Sequence, residues 1–134
     1  NRVFLLFDGD EAGYRAAARC FPVAINSPLQ VDAVFLPSGE DPDSIALREG
    51  ERTGQILQSL PRKQLLDLFV DAALRKYNVT HPSELGPQLK DRVCDEVASQ
   101  IQRCEKSIAR DELYRRAGFL LLVDPGLLKS RGQG

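Results

Sequence analysis

The chain has 134 residues, 43% of them hydrophobic and 28% charged, and a formal net charge of −1. That is the composition of an ordinary globular domain, and it excludes collagen-like, low-complexity and disordered classes. The longest apolar runs, Val3 to Phe7 and Phe119 to Val123, are far shorter than the roughly 20 residues of a membrane span, so no membrane partner is expected. Cys20, Cys94 and Cys104 are odd in number and form no C-x-x-C, which argues against both a disulfide framework and a zinc knuckle. The start lacks the basic region and apolar core of a secretory signal, which predicts a cytoplasmic protein.

The charge is unevenly spread. Residues 1–50 hold four basic against eight acidic side chains, and residues 51–134 fourteen against eleven. No basic stripe of the kind that grips nucleic acid is obvious. A polyanionic substrate would need metal ions, or a further segment, to attract it to the acidic half.

The first apolar run, Val3-Phe4-Leu5-Leu6-Phe7, ends in Asp8-Gly9-Asp10 and reads as a strand buried on both faces of a parallel sheet. Open α/β sheets bind ligands beyond the carboxyl ends of their strands. Period-two geometry would point Asp8 and Asp10 the same way, and two crowded carboxylates call for a cation. Ala-rich Glu11 to Arg19 predicts a helix, closed by Pro22 and the Asn26-Ser27-Pro28 turn. Val31 to Leu36 then reads as a second strand, long enough after the first for a right-handed parallel crossover.

That second strand ends in Pro37-Ser38-Gly39-Glu40-Asp41-Pro42-Asp43-Ser44. Adjacent parallel strands bring their end loops together, so six carboxylates, Asp8, Asp10, Glu11, Glu40, Asp41 and Asp43, are expected around one mouth. A structural reading stands beside this one: Asp10 could cap the first helix, and Asp43 with Ser44 the next.

From Ser44 onward the pattern is helical. Ile45 to Gly50 and Thr53 to Leu60 predict two short helices, and Arg62 to Asn78 an amphipathic one. Leu85, Leu89, Val93, Val97 and Ile101 recur every fourth residue through a long helix reaching as far as Glu105. A further helix carries Ile108, Leu113, Tyr114 and the Phe119 to Val123 run, and Asp124-Pro125 should start a last one as N-cap and N1. The expected division is an α/β part over 1–60 and a helical subdomain over 61–134. His81, the single histidine, sits between turn residues with no nucleophile motif nearby and reads as an exposed loop residue. Arg103, Lys106, Arg110, Arg115 and Arg116 are close enough in sequence to suggest a contact patch.

Three chemistries use Asp-x-Asp at a strand end. A calcium loop of the EF-hand type would need an oxygen ligand at Ala12 and Glu at Arg19, and fails. A haloacid-dehalogenase-like phosphatase opens similarly, with the first Asp as nucleophile, but expects Thr or Val at Ala12. A metal-dependent nucleic-acid enzyme is the third, and a non-catalytic protein-interaction module is a rival from another class.

Asp8-Gly9-Asp10-Glu11-Ala12-Gly13, followed after one crossover by Leu36-Pro37-Ser38-Gly39-Glu40-Asp41-Pro42-Asp43, resembles the Toprim core of bacterial DnaG-type DNA primases. Arg110-Asp111-Glu112-Leu113-Tyr114 more weakly resembles the helix that ends the family's polymerase domain. The resemblance implies a partial Toprim fold of the α/β class, a short parallel βαβ sheet followed by a helical subdomain. It implies synthesis of RNA primers on single-stranded DNA from ribonucleoside triphosphates, at the replication fork in the nucleoid, with a replicative helicase and the remaining primase domains as partners. By the same resemblance Asp8 and Asp10 are catalytic, and Asp8, Asp10, Asp41 and Asp43 are ligands for Mg²⁺ or Mn²⁺. The family's metal-site Glu lies on an earlier strand that these residues do not include, so the isolated chain is expected to make no primer.

Overall fold

Both apolar runs of the first half form strands. In the computed structural model, which describes residues 2–134 (Pro42 by its backbone alone), β1 (Arg2–Phe7) and β2 (Gln30–Phe35) are joined by helix α1 (Glu11–Ala24). The strands pair in parallel with Phe7 opposite Phe35. They therefore end at the same level, and the chain leaves the sheet at Asp8 and Leu36 side by side.

Three expectations for this half need correction. Helix α1 does not stop at Pro22 but includes it. Pro22 removes one hydrogen bond from the last turn, and that turn is held instead by Phe21, which is buried with its ring 5.3 Å from that of Phe69. Strand β1 is not buried on both faces: Phe4 and Leu6 are 41% and 42% exposed. It lies at the edge of the sheet order among the described residues, and α1 covers only the other face. The sheet also has a third strand. β3 (Arg62–Gln64) pairs antiparallel with β2, where a helix from Arg62 is expected. Its three residues are exposed and polar, so the pairing comes from the free edge of β2 and not from any apolar pattern of their own.

Helices α2 (Pro42–Glu49) and α3 (Thr53–Ser59) lie between β2 and β3. After β3 come α4 (Leu65–Arg75), α5 (Pro87–Ile101), α6 (Ser107–Leu121) and α7 (Pro125–Gln133). Helix α5 begins at its Pro and ends at Ile101, shorter at both ends than the apolar repeat suggests; Leu85 closes a 3₁₀ turn before it. Val93, Val97 and Ile101 of that repeat are fully buried. Helix α6 ends with Leu122 left-handed at φ 58° and Val123 N donating to Gly118 O at 3.0 Å, the arrangement by which a helix end satisfies its last carbonyls. Asp124 then caps α7 as expected, accepting from Gly126 N at 2.7 Å.

One apolar core runs through both halves. It joins Ala17, Ala18 and Phe21 of α1 and Ala33 and Phe35 of β2 to Leu65 and Leu66 of α4, Val93 and Val97 of α5, and Tyr114 and Leu128 beyond. Three of the five basic residues that suggest a contact patch have partners within the chain. Arg116 grips Asp67 of α4 with both nitrogens of a fork, at 3.0 and 2.5 Å, Arg110 donates to Cys104 O at 2.9 Å, and Arg103 donates to Gln100 Oε1. Cys94 and Cys104 are buried and all three thiols are free, as expected; no helix among the described residues is long and apolar enough to cross a membrane.

Candidate metal centre at the strand ends

The two acidic loops touch. A Cβ added to Gly9 would lie 1.9 Å from Leu36 O, and one added to Gly13 would lie 1.9 Å from Asp8 O. Only glycine allows the first loop to sit against the end of β2 and α1 to turn this tightly under Asp8. Asp10 starts α1, its Oδ1 accepting from Gly13 N at 2.7 Å.

The second loop is built in two steps. Glu40 N donates to Pro37 O at 2.9 Å across a turn whose Gly39 has φ +80°, a conformation that favours glycine. Asp41 then caps α2: its Oδ1 accepts from Ser44 N at 2.7 Å while Asp41 N donates to Ser44 Oγ at 3.0 Å. This reciprocal box corrects the expectation that Asp43 is the cap. With Pro42 in the first helical position, the cap falls on the residue before it. Asp10 and Asp41 thus each commit one carboxylate oxygen to a helix start, and the other has no hydrogen bond among the described residues.

The six carboxylates sort into two groups. Glu11 pairs with Arg15 at 3.5 Å. Glu40 pairs with Arg48 through Oε1 and accepts from Ser44 Oγ at 2.8 Å through Oε2. The Arg48 guanidinium first, and the Ser44 hydroxyl second, hold the Glu40 carboxyl below its ordinary range, and Glu40 in turn raises Arg48. Asp8, Asp10, Asp41 and Asp43 have no cationic partner among the described residues, and Asp8 and Asp43 also have no side-chain hydrogen bond there. All four are exposed.

These four side chains offer only oxygen donors, the type a hard cation prefers. Among the described residues no three His, Cys, Asp or Glu side chains come together in a group that could hold a metal ion, so the six acidic residues expected around one mouth do not converge into a single coordination site. Mg²⁺ does not require three, since it binds through one or two carboxylates and keeps water or phosphate oxygens for its other positions. The remaining clusters lie elsewhere. A cleft of about 440 Å³ opens near Gln30, Asp32, Gln64 and Arg116, at the opposite end of β2. His81 is exposed and caps the 3₁₀ turn before α5 through Ser83 N.

No protein-family model matches the chain. It is 32% identical over 124 residues to a DNA primase of Chlamydia muridarum, which covers 92% of this chain and 20% of that protein. A crystal structure of a DNA primase domain from Pseudomonas aeruginosa superposes with a TM-score of 0.71 at 21% identity, covering 99% of this chain and 41% of that one. A structure of the DnaG catalytic core gives 0.70 at 26% identity, covering 93% and 40%. Matches over nearly the whole chain, in sequence and in fold, place it in the class of DNA primase domains. Within that class it corresponds to part of the catalytic core of the DnaG type. The chain spans about a fifth of the length of the curated relatives it matches.

Proposed function

We propose that this chain is the part of a DNA primase that holds the metal ions for synthesis of short RNA primers on single-stranded DNA. Asp8, Asp10, Asp41 and Asp43 are the ligands for Mg²⁺ or Mn²⁺ in this reading, and Asp8 and Asp10 the catalytic residues. The observation that carries it is the sorting of the acidic side chains on the two touching loops: among the described residues, the four aspartates implied by the primase resemblance are the ones without a cationic partner, while Glu11 and Glu40 are paired. Divalent ions, when bound, neutralise the attacking and leaving oxygens of an in-line displacement on a nucleoside triphosphate.

The chain's own residues do the rest by position. The cap bonds fix the carboxylate planes of Asp10 and Asp41, leaving each with a free oxygen of set direction. Gly9 keeps the two loops in contact. No side chain here is required as a covalent nucleophile. Residues 1–60 carry the chemistry and residues 61–134 its helical support. The template, the ribonucleotides, the replicative helicase and the remaining primase domains are its partners at a cytoplasmic replication fork.

Template-dependent incorporation of labelled ribonucleotides tests this. The isolated chain should yield no primer. A DnaG-type primase whose corresponding segment is replaced by this chain should yield primer, and lose it on Asp10→Ala or Asp41→Ala. A chimera that is folded and inactive, or one indifferent to both substitutions, refutes the assignment.

A further inference from the structure

The pairing of Glu40 with Arg48 has a geometry that a chance surface ion pair lacks. Glu40 lies outside α2, before its cap, and Arg48 lies in the last turn, eight residues on. Both oxygens of Glu40 are used, one by Arg48 and one by Ser44, the residue whose backbone N–H and hydroxyl complete the box with Asp41. Arg48 is itself steadied by Glu49 at 3.2 Å. A line of contacts thus runs from the last turn of α2 through Arg48, Glu40 and Ser44 to Asp41. The Glu40 side chain is only 19% exposed.

Resting on the metal reading above, we propose that Glu40 and Arg48 are a positioning pair for the second acidic loop, with Glu40 a tether and not a metal ligand. The tether orders Asp41 and Asp43 before any cation arrives, so less ordering is left for binding to supply. It also removes one negative charge from a crowded loop.

The proposal predicts a sign that simple electrostatics reverses. Arg48→Gln deletes a positive charge beside the loop, and a charge effect alone would tighten cation binding. Loss of the tether should instead weaken it, by roughly three- to tenfold, the loss that goes with one ordering contact. Mn²⁺ binding to the 134-residue chain, followed by the electron paramagnetic resonance of free Mn²⁺, reads this directly. Arg48→Lys should retain more affinity than Arg48→Gln, and the exchanged pair Glu40→Arg with Arg48→Glu should recover part of what Glu40→Gln loses. Amide exchange without metal gives a second reading: the Ser44 and Ile45 N–H groups should exchange faster in Arg48→Gln while those of α5 do not change.

Tighter Mn²⁺ binding by Arg48→Gln, or an exchanged pair no better than Glu40→Gln, overturns the tether. Unchanged exchange at Ser44 and Ile45 overturns it as well. Asp41→Ala and Asp43→Ala separate the two readings: if neither alters Mn²⁺ binding, the metal assignment is what fails, and the amide exchange still decides whether the pair orders the loop.

Discussion

Asn26 holds Glu105 from 79 residues away: its Oδ1 accepts from Glu105 N at 2.9 Å, and its Nδ2 donates to Arg103 O at 3.0 Å. One primary amide thereby satisfies two backbone groups in the turn between α5 and α6 and ties that turn to the one between α1 and β2. Asn26→Ala should cost about 1–2 kcal/mol of unfolding free energy in urea, and Asn26→Asp should fare little better, because a carboxylate cannot donate to Arg103 O. Equal stability of wild type and Asn26→Ala would show the clasp to be idle.

Gly9 sets the approach of the two acidic loops. With a methyl group 1.9 Å from Leu36 O and 3.1 Å from its carbonyl carbon, the neighbour in Gly9→Ala is backbone and cannot swing aside. The loops must separate, at a cost of about 1–3 kcal/mol, the usual price of overpacking. Gly39→Ala, where the added atom meets nothing within 4 Å but φ is +80°, should cost less, about 1 kcal/mol. Thermal unfolding of the two variants checks the order, and Mn²⁺ uptake should fall more in Gly9→Ala.

Tyr114 is 1% exposed, and its hydroxyl donates to Gln102 Oε1 at 2.7 Å, with Ala98 O at 3.3 Å. Tyr114→Phe leaves those acceptors short of a donor in the core, for about 1 kcal/mol of lost stability. Gly132→Ala should cost at least as much, since its Cβ would lie 2.0 Å from the same hydroxyl. In the Tyr114→Phe background that penalty should shrink, and a double-mutant cycle in urea measures the coupling.

Burial pushes the Cys94 thiol and the Tyr114 phenol up from their ordinary values. A group whose folded value is raised leaves stability intact below its unfolded value and removes it as pH climbs toward the folded one. Unfolding free energy should therefore hold steady through neutrality, begin to fall above about pH 8.5 as unfolded thiols ionise, and fall faster above about pH 10. Cys94→Ala should flatten the first part of that decline and leave the second. Iodoacetamide at pH 8 should label Cys20, which is half-buried, well before Cys94.

Which features could be read from the residues follows from how local their causes are. The two strands and α1 declare themselves by an apolar run, a crossover of the right length and a capping Asp, all within a few neighbouring positions. Asp124-Pro125 is legible for the same reason. Strand β3 is not, because Arg62-Lys63-Gln64 has no apolar alternation and owes its form to an edge that exists only once β2 has formed. The cap of α2 is recoverable in principle, since Pro42 at the first helical position points to Asp41, but Asp43-Ser44 looks as good a start when Pro is read only as a turn. The aspartates of the site are visible as loop residues at matching strand ends. The division among the carboxylates is not, because Glu40 meets Arg48 at a spacing of eight, outside the three- and four-residue neighbourhoods of a helix surface, and does so only because it stands off the helix in a turn. Asn26 and its clasp lie 77 and 79 residues from their partners, beyond any local pattern.

The apolar interior shared by α1, β2 and every helix from α4 to α7 makes the distant end of the molecule answerable for the acidic one. Leu128 near the C-terminus and Phe35 at the lip of the second loop belong to a single packed body, so heat should abolish helicity and the contact of the two acidic loops in one step, and a loosened C-terminal helix should be felt at those loops.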